Sequence, residues 1–358
     1  MASGTRPRGR EGGGTMAVID ADAHVVENEH TWDYMREEER EFRPLSVATT
    51  DPNAPVRRYW LIGDRSTGRA FIRNTNEGTG TSDESREMAS VSARLAHMDE
   101  LGVDIQVLYP TLFLRPLSPR PEVDYALARS YNRWMGDIWE MGQGRLRWPV
   151  IAPAYRLDQA IEEAHYGKEH GACGVYLRAG DAGLSLTDPY FFPLYEEASK
   201  LGMPICIHAS VGNFGMWDQQ ENGLRFKLPP ISVFHNLLMR RVPDKFPDLS
   251  WCFVEVSAQW VPYVMNDLSI RFGNNGREFS GATLMRENRM YVACQTTDDL
   301  QYIIDTAGDD NIIIGTDYGH DDTSSEILAM QRLREEGRLA PSTVEKILDA
   351  NPRRLYGL

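Results

Sequence analysis

Apolar and polar positions along this chain alternate between two periods. Short, nearly all-apolar runs rich in β-formers occur at Ala17–Asp20, Ile105–Tyr109, Trp148–Ile151, Cys173–Leu177, Pro204–His208, Trp251–Glu255, Met290–Cys294 and Asn311–Gly315. Between most of them lie stretches with helical periodicity: Val123–Met141, Leu157–His170, Phe191–Leu201, Ile231–Phe246, Trp260–Phe272, Leu300–Ala307 and Ser324–Glu336. A strand that is apolar throughout is buried on both faces, as in a parallel sheet covered by helices. Eight such units predict a closed (β/α)8 TIM barrel rather than an open sheet.

Two connections are longer than a barrel needs. Residues 28–100, between the first and second strands, form an insertion with a hairpin at Arg58–Gly63 and Arg69–Ile72, followed by a polar, Gly-containing loop from Asn74 to Ser85. Ala209–Pro230 follows the fifth strand. Both segments leave carboxyl ends of strands, where barrel enzymes build their sites, and loops of such length commonly act as lids or binding segments. Residues 1–16 are Gly- and Arg-rich and lack the apolar stretch of a secretory signal. They read as a disordered tail ahead of one domain at 17–358, or as a start placed too early, because Met16 directly precedes the first strand.

Composition narrows the function. Hydrophobic residues make up 42% of 358, enough for a sizeable core, and 38 basic against 52 acidic residues give a net charge of −14. With no basic stripe to displace counterions, neither a nucleic-acid partner nor an anionic membrane surface is expected. No apolar run reaches the roughly 18 residues of a membrane span. Cys173, Cys206, Cys252 and Cys294 each fall in a strand and form no C-x-x-C pair. They read as small buried hydrophobes, not as a zinc ribbon or disulfide framework, and a cytoplasmic location is expected.

Ionisable residues then mark the carboxyl ends of particular strands. The first strand leads through Asp20-Ala21-Asp22-Ala23-His24 to Glu27, and residues two apart on a strand point the same way, so Asp22 and His24 emerge together. His208 ends the fifth strand and Glu255 the sixth, while Asp317, followed by His320, stands just beyond the eighth. Each alone has an ordinary structural explanation, such as a hydrogen-bonded core histidine, a salt bridge or a helix cap. In a closed barrel these ends meet at one mouth, which predicts a shared metal site. Glu27, and His235 near the start of a helix, are further candidate ligands. His30, His97, His165 and His170 have no partner pattern and read as surface residues.

The pattern resembles the amidohydrolase-related TIM-barrel family, in the branch containing aminocarboxymuconate-semialdehyde decarboxylase. The resemblance rests on D-x-D-x-H-x-x-E at 20–27, His208, Phe246-Pro247-Asp248-Leu249, Glu255 with Trp260 and Pro262 behind it, G-T-D-Y-G-H-D at 315–321 and the ending at 351–358. It departs from the decarboxylases in having Asp22 where they open with a first histidine, and Glu255 where they carry a histidine. The fourth strand ends in Arg178 and has no lysine to bridge two metals as in dinuclear hydrolases. In ligand pattern the chain is more similar to the TIM-barrel dinuclear non-haem iron monooxygenases, of the diterpenoid- and aminoisobutyrate-hydroxylase kind. That resemblance implies two divalent metals, Fe/Fe or Fe/Mn, and hydroxylation of a C–H bond of a small molecule with O2. The candidate ligands Asp22, His24, Glu27, His208, His235, Glu255, Asp317 and His320 suffice for two ions, and an all-nitrogen-and-oxygen set suits Fe and Mn without excluding Zn.

Three functions follow as expectations. The first is the dinuclear monooxygenase, with Asp317, Glu255 and His320 as catalytic groups. The second is a zinc-dependent hydrolase or decarboxylase using metal-activated water, with Asp317 as base. The third is an inactive barrel that supports an active paralogue. Arg178 is placed to anchor a substrate carboxylate or to pair with Glu255 or Asp181. Trp217, in Asn213–Trp217, is a candidate pocket wall or rim-packing residue. A homo- or hetero-oligomer is expected, with the aromatic-rich insertion as its candidate interface.

Overall fold

The computed structural model describes residues 16–50, 53, 56–63, 69–72, 78–210, 224–273 and 279–358. The predicted tail at 1–15 and the hairpin turn at 64–68 lie outside the described residues. Eight parallel strands pair in chain order: β1 Ile19–Val25, β2 Ile105–Pro110, β3 Leu146–Ile151, β4 Ala172–Arg178, β5 Ile205–His208, β6 Trp251–Val254, β7 Met290–Cys294 and β8 Ile312–Ile314. Nearly every residue in them is buried, which is why the sequence runs apolar without alternation. The four cysteines are free and buried within these strands.

The sheet closes where β8 returns to β1. Asp317 N donates to the Asp22 carbonyl at 2.8 Å, and His24 N donates to the Tyr318 carbonyl at 2.9 Å. The closing strands come so near that a Cβ on Gly315 would stand 2.2 Å from the Cβ of Asp22. Gly315→Ala is therefore expected to destabilise the fold by about 1–3 kcal/mol, the range for overpacking, and to displace Asp22. Thermal unfolding with a metal-binding titration checks this; wild-type values for both would show that the seam yields freely.

Helices Pro121–Met141, Leu157–Glu169, Phe192–Lys200, Val261–Gly273 and Leu300–Ala307 agree with the periodicity to within two residues. The helix expected at Ile231–Phe246 instead starts at Leu224 and stops at Met239, with Pro229 and Pro230 inside it. Pro230 has no N–H for the Phe226 carbonyl, and Ser210 N donates to that carbonyl instead, at 3.1 Å.

Within the insertion, Arg58–Ile62 and Arg69–Ile72 pair as expected, and Leu45–Ala48 adds a third antiparallel strand. All four residues of that strand are exposed, so no burial pattern announces it. Helix Val91–Leu101 leads back to the barrel, capped by the Ser90 side chain and ended by Gly102 at φ 67°. Among the described residues no helix is long and apolar enough to cross a membrane.

Candidate metal centre at the barrel mouth

The register of β1 against β2 shifts between Asp20 and Ala23. Such bulges re-aim side chains near functional sites, and here the two aspartates take different roles. Asp20 turns to the closing seam: Oδ1 accepts from Thr316 N at 2.9 Å, and Oδ2 accepts from Thr316 Oγ1 at 2.6 Å and Gln106 Nε2 at 2.9 Å. Asp22 meets the end of β5, with its Oδ1 3.3 Å from His208 Nε2 and 3.7 Å from His24 Nε2.

His24 is the hub. Its Nδ1–H donates to the Pro110 carbonyl at 3.1 Å, which leaves the lone pair on Nε2. That atom faces Asp317 Oδ1 at 3.3 Å and Glu255 Oε2 at 3.8 Å. An imidazole held by a backbone acceptor on one nitrogen and free on the other is the usual form of a metal-ligating histidine. His320 stacks on His24 with ring centroids 3.8 Å apart. Its Nε2–H donates to Thr111 Oγ1 at 2.9 Å, since that hydroxyl's proton goes to the Val25 carbonyl. Its Nδ1 lies 2.8 Å from Asp317 Oδ1. Glu255 Oε2 is also 3.3 Å from His208 Nδ1.

Two overlapping ligand sets result, each with donor atoms within 4.8 Å of one another: His24, Glu255, Asp317 and His320, and Asp22, His24 and His208. Three donor atoms, His24 Nε2, Glu255 Oε2 and Asp317 Oδ1, are buried without a hydrogen bond among the described residues. Unmade bonds on buried polar atoms are costly, and three converging on one point fit a cation. The electrostatics agree. Burial pushes the Glu255 carboxyl well above the usual range, and repulsion from Asp317, Asp322 and Asp22 adds to it. Burial likewise raises Asp317 and holds His24 well below the usual imidazole value, with His320 and His208 contributing. A divalent ion offsets both strains, since it favours ionised carboxylates and neutral imidazoles.

Local backbone geometry is also unusual here. Glu255 and Asp317 adopt left-handed conformations at φ 59° and 52°. Such non-glycine residues cost about 1–2 kcal/mol each and cluster where function over-determines the chain.

Several sequence expectations need correction. Glu27 belongs to neither ligand set: its carboxylate accepts from Thr111 N at 3.2 Å and Leu112 N at 2.9 Å. Burial still pushes it up to about 7. His235 does not reach the mouth, because its helix directs Nε2 to Asp267 Oδ2 at 2.8 Å, outside the barrel. Arg178 neither pairs with Glu255 nor stands free for a substrate. Its Nε donates to Asp181 Oδ1 at 2.7 Å, with Asp124 beyond at 4.0 Å. Trp217 lies outside the described residues. His97 is not a lone surface residue; its Nδ1 meets the Tyr318 hydroxyl at 2.7 Å. The sequence reading missed the groups that hold the centre from behind. Ser325 Oγ donates to Asp317 Oδ2 at 2.6 Å, and Thr111 fixes His320. A lone hydroxyl carries no spacing signal that could have announced either.

Beside the cluster lies a cavity of about 510 Å³, lined by Glu255 and His320, by Trp60, Phe71, Leu112, Leu114 and Phe226, and by charged residues of both signs, Arg115 and Lys227 with Glu27, Asp321 and Asp322. A larger cavity, about 630 Å³, opens at the amino-terminal ends of the strands. Two of its cations are engaged locally: Arg354 Nε donates to the Tyr291 hydroxyl at 2.9 Å, and Arg289 lies 3.7 Å from Asp248.

A parallel (β/α)8 barrel with imidazoles and carboxylates converging on its carboxyl rim defines a TIM-barrel enzyme with a candidate metal centre. The chain belongs to the Amidohydrolase family, which it matches over residues 19–358. It is similar to the 2-amino-3-carboxymuconate-6-semialdehyde decarboxylase of Dictyostelium discoideum, 23% identical over 286 residues that cover 74% of this chain and 76% of that one. Its fold is similar to a crystal structure of an amidohydrolase from Mycobacterium avium subsp. paratuberculosis, with a TM-score of 0.75, 20% identity and coverage of 95% and 99% of the two chains. It is also similar to 5-carboxyvanillate decarboxylase from Novosphingobium aromaticivorans with bound manganese, with a TM-score of 0.67, 16% identity and coverage of 96% and 97%.

Proposed function

We propose that this protein is a metal-dependent carboxy-lyase or hydrolase of the amidohydrolase type, acting on a small unsaturated or aromatic carboxylate. The convergence of His24 Nε2, Glu255 Oε2 and Asp317 Oδ1, buried and unsatisfied, carries the reading. His24, Glu255 and Asp317 would hold a divalent cation, which would supply Lewis acidity to a substrate oxygen or to water. The named decarboxylases among the relatives favour this reading over the monooxygenase that the ligand pattern resembles.

The chain's own residues supply the rest. Trp60, Phe71 and Phe226 offer flat apolar walls to a planar substrate, and Arg115 and Lys227 offer positive charge to its carboxylate. Lys227 is held by Thr323 and Ser324 hydroxyls, each at 3.0 Å, which fixes its charge in place. In decarboxylation the C–C bond breaks, CO2 departs, and the electron pair left on carbon takes a proton. We assign that proton to Asp317, which burial raises and Ser325 holds at Oδ2, and which lies 2.8 Å from Nδ1 of His320 in the cavity wall. In hydrolysis the same carboxylate would accept a proton from water. Charge-assisted contacts are worth about 1.5–3 kcal/mol, so Arg115→Ala is expected to raise KM about 10- to 100-fold with little change in kcat. An unchanged KM for every anionic substrate would remove Arg115 from recognition.

The deciding experiment measures CO2 release from a panel of aromatic and unsaturated carboxylates by protein of known metal content, in air and without O2. Equal turnover in both supports the proposal. One observation favours a second reading: the two ligand sets share His24 and offer six groups, enough for a pair of ions such as Fe/Fe or Fe/Mn. Turnover that requires O2, with about two irons or one iron and one manganese per chain, would establish that oxygenase instead.

A further inference from the structure

Arg94 is buried completely in the helix Val91–Leu101 of the insertion, yet its guanidinium is met by neutral acceptors. Nε donates to Gln106 Oε1 at 2.7 Å, and Nη1 donates to the His24 carbonyl at 3.1 Å and the Ser85 carbonyl at 3.3 Å. Nη2 has no partner among the described residues. The guanidinium plane lies on the Tyr318 ring, 3.5 Å from its centroid. Burying an arginine this way costs several kcal/mol that a packed apolar side chain would not, so stability alone does not account for it.

Its contacts do. They join the insertion helix, the backbone of β1 at His24, the strand β2 at Gln106 and the segment after β8 at Tyr318. Gln106 passes the connection on: its Nε2 donates to Asp20 Oδ2, and Asp20 grips Thr316 through both backbone and hydroxyl. Thr316 and Tyr318 flank Asp317. The Tyr318 hydroxyl donates to Ser85 Oγ at 2.9 Å and accepts from His97 Nδ1, so the ring cannot swing away from Arg94. Asp317, left-handed at φ 52°, is thus clamped on both sides by one hydrogen-bonded chain, which also holds the His24 carbonyl.

We infer that Arg94, acting with Gln106 and Asp20, is a positioning residue that sets the spacing of the two candidate ligands His24 and Asp317. The inference rests on the reading of the strand ends as a cation site. It explains why Asp20 of the D-x-D-x-H segment belongs to neither ligand set, and it gives the insertion helix a function beyond covering the barrel.

The test is a cobalt(II) titration of metal-depleted full-length protein, followed by visible absorption, together with thermal unfolding of the same samples. Arg94→Met and Gln106→Leu are expected to weaken cobalt binding about 10- to 100-fold, the range for outer partners of metal ligands, and to change the visible band. Arg133→Met breaks a half-buried pair with Glu163 on the outer helices, at 2.6 Å, and serves as the comparison. It is expected to lower the melting temperature while leaving cobalt affinity and spectrum unchanged. Wild-type affinity and spectrum in Arg94→Met would overturn the inference. If Arg94→Met does not fold, Arg94→Lys and Gln106→Leu decide by the same two readouts, with wild-type values in both overturning it. Wild-type protein that takes up no cobalt would instead overturn the metal reading itself, and this inference with it.

Discussion

His24→Ala is expected to cost the protein its bound cation and its turnover together. His24 is the one residue shared by both ligand sets, and its Nε2 faces two carboxylates that lack hydrogen bonds at the facing atoms. Loss of an outer partner lowers metal affinity about 10- to 100-fold, and loss of this shared imidazole is expected to exceed that range. It also leaves Asp317 and Glu255 facing each other with less compensation, which favours protonation of one of them. Metal-to-protein ratios after dialysis, with turnover on the same samples, measure the effect. A variant that keeps stoichiometric metal at wild-type affinity would place the centre elsewhere.

Asp317→Asn is expected to lower kcat about 10²- to 10⁴-fold, the range for losing a positioned proton carrier, while the cation stays bound through the remaining groups. The substitution preserves shape and the left-handed backbone, since asparagine tolerates that region well. It removes the ionisable oxygen that faces His24 and His320. The split between metal content and kcat gives the prediction its content. Loss of the cation along with turnover would show that the site cannot hold its ion without the Asp317 carboxylate, and would leave the proton to another group. Glu27, raised to about 7 and lining the cavity beside the cluster, would be the next candidate.

The readability of this chain varied with the range of the interactions involved. Eight strands and most helices were legible because burial on both faces writes a continuous apolar run, and burial on one face writes a 3.6-residue period. Leu45–Ala48 was not, because every one of its side chains is exposed. Asp22, His24, His208, Glu255, Asp317 and His320 stood out as ionisable groups at strand ends, and the structure brings them to one mouth. Glu27 and His235 carried the same kind of sequence signal and are turned away. Two backbone N–H groups of the segment after β2 claim Glu27, and Asp267 on a neighbouring helix claims His235. Arg178 likewise had three possible partners in sequence, and Asp181, three residues on, took it.

The sequence by itself determined the barrel and the residue types at its rim, because strand period and strand order are local properties of the chain. Only the tertiary structure decided which of those residues converge. The β1 bulge separates Asp20 from Asp22, the close approach at Gly315 seats β8 against β1, and Arg94 connects four distant segments. Each depends on contacts between residues far apart in the chain, and such contacts leave no period or spacing for a sequence to show.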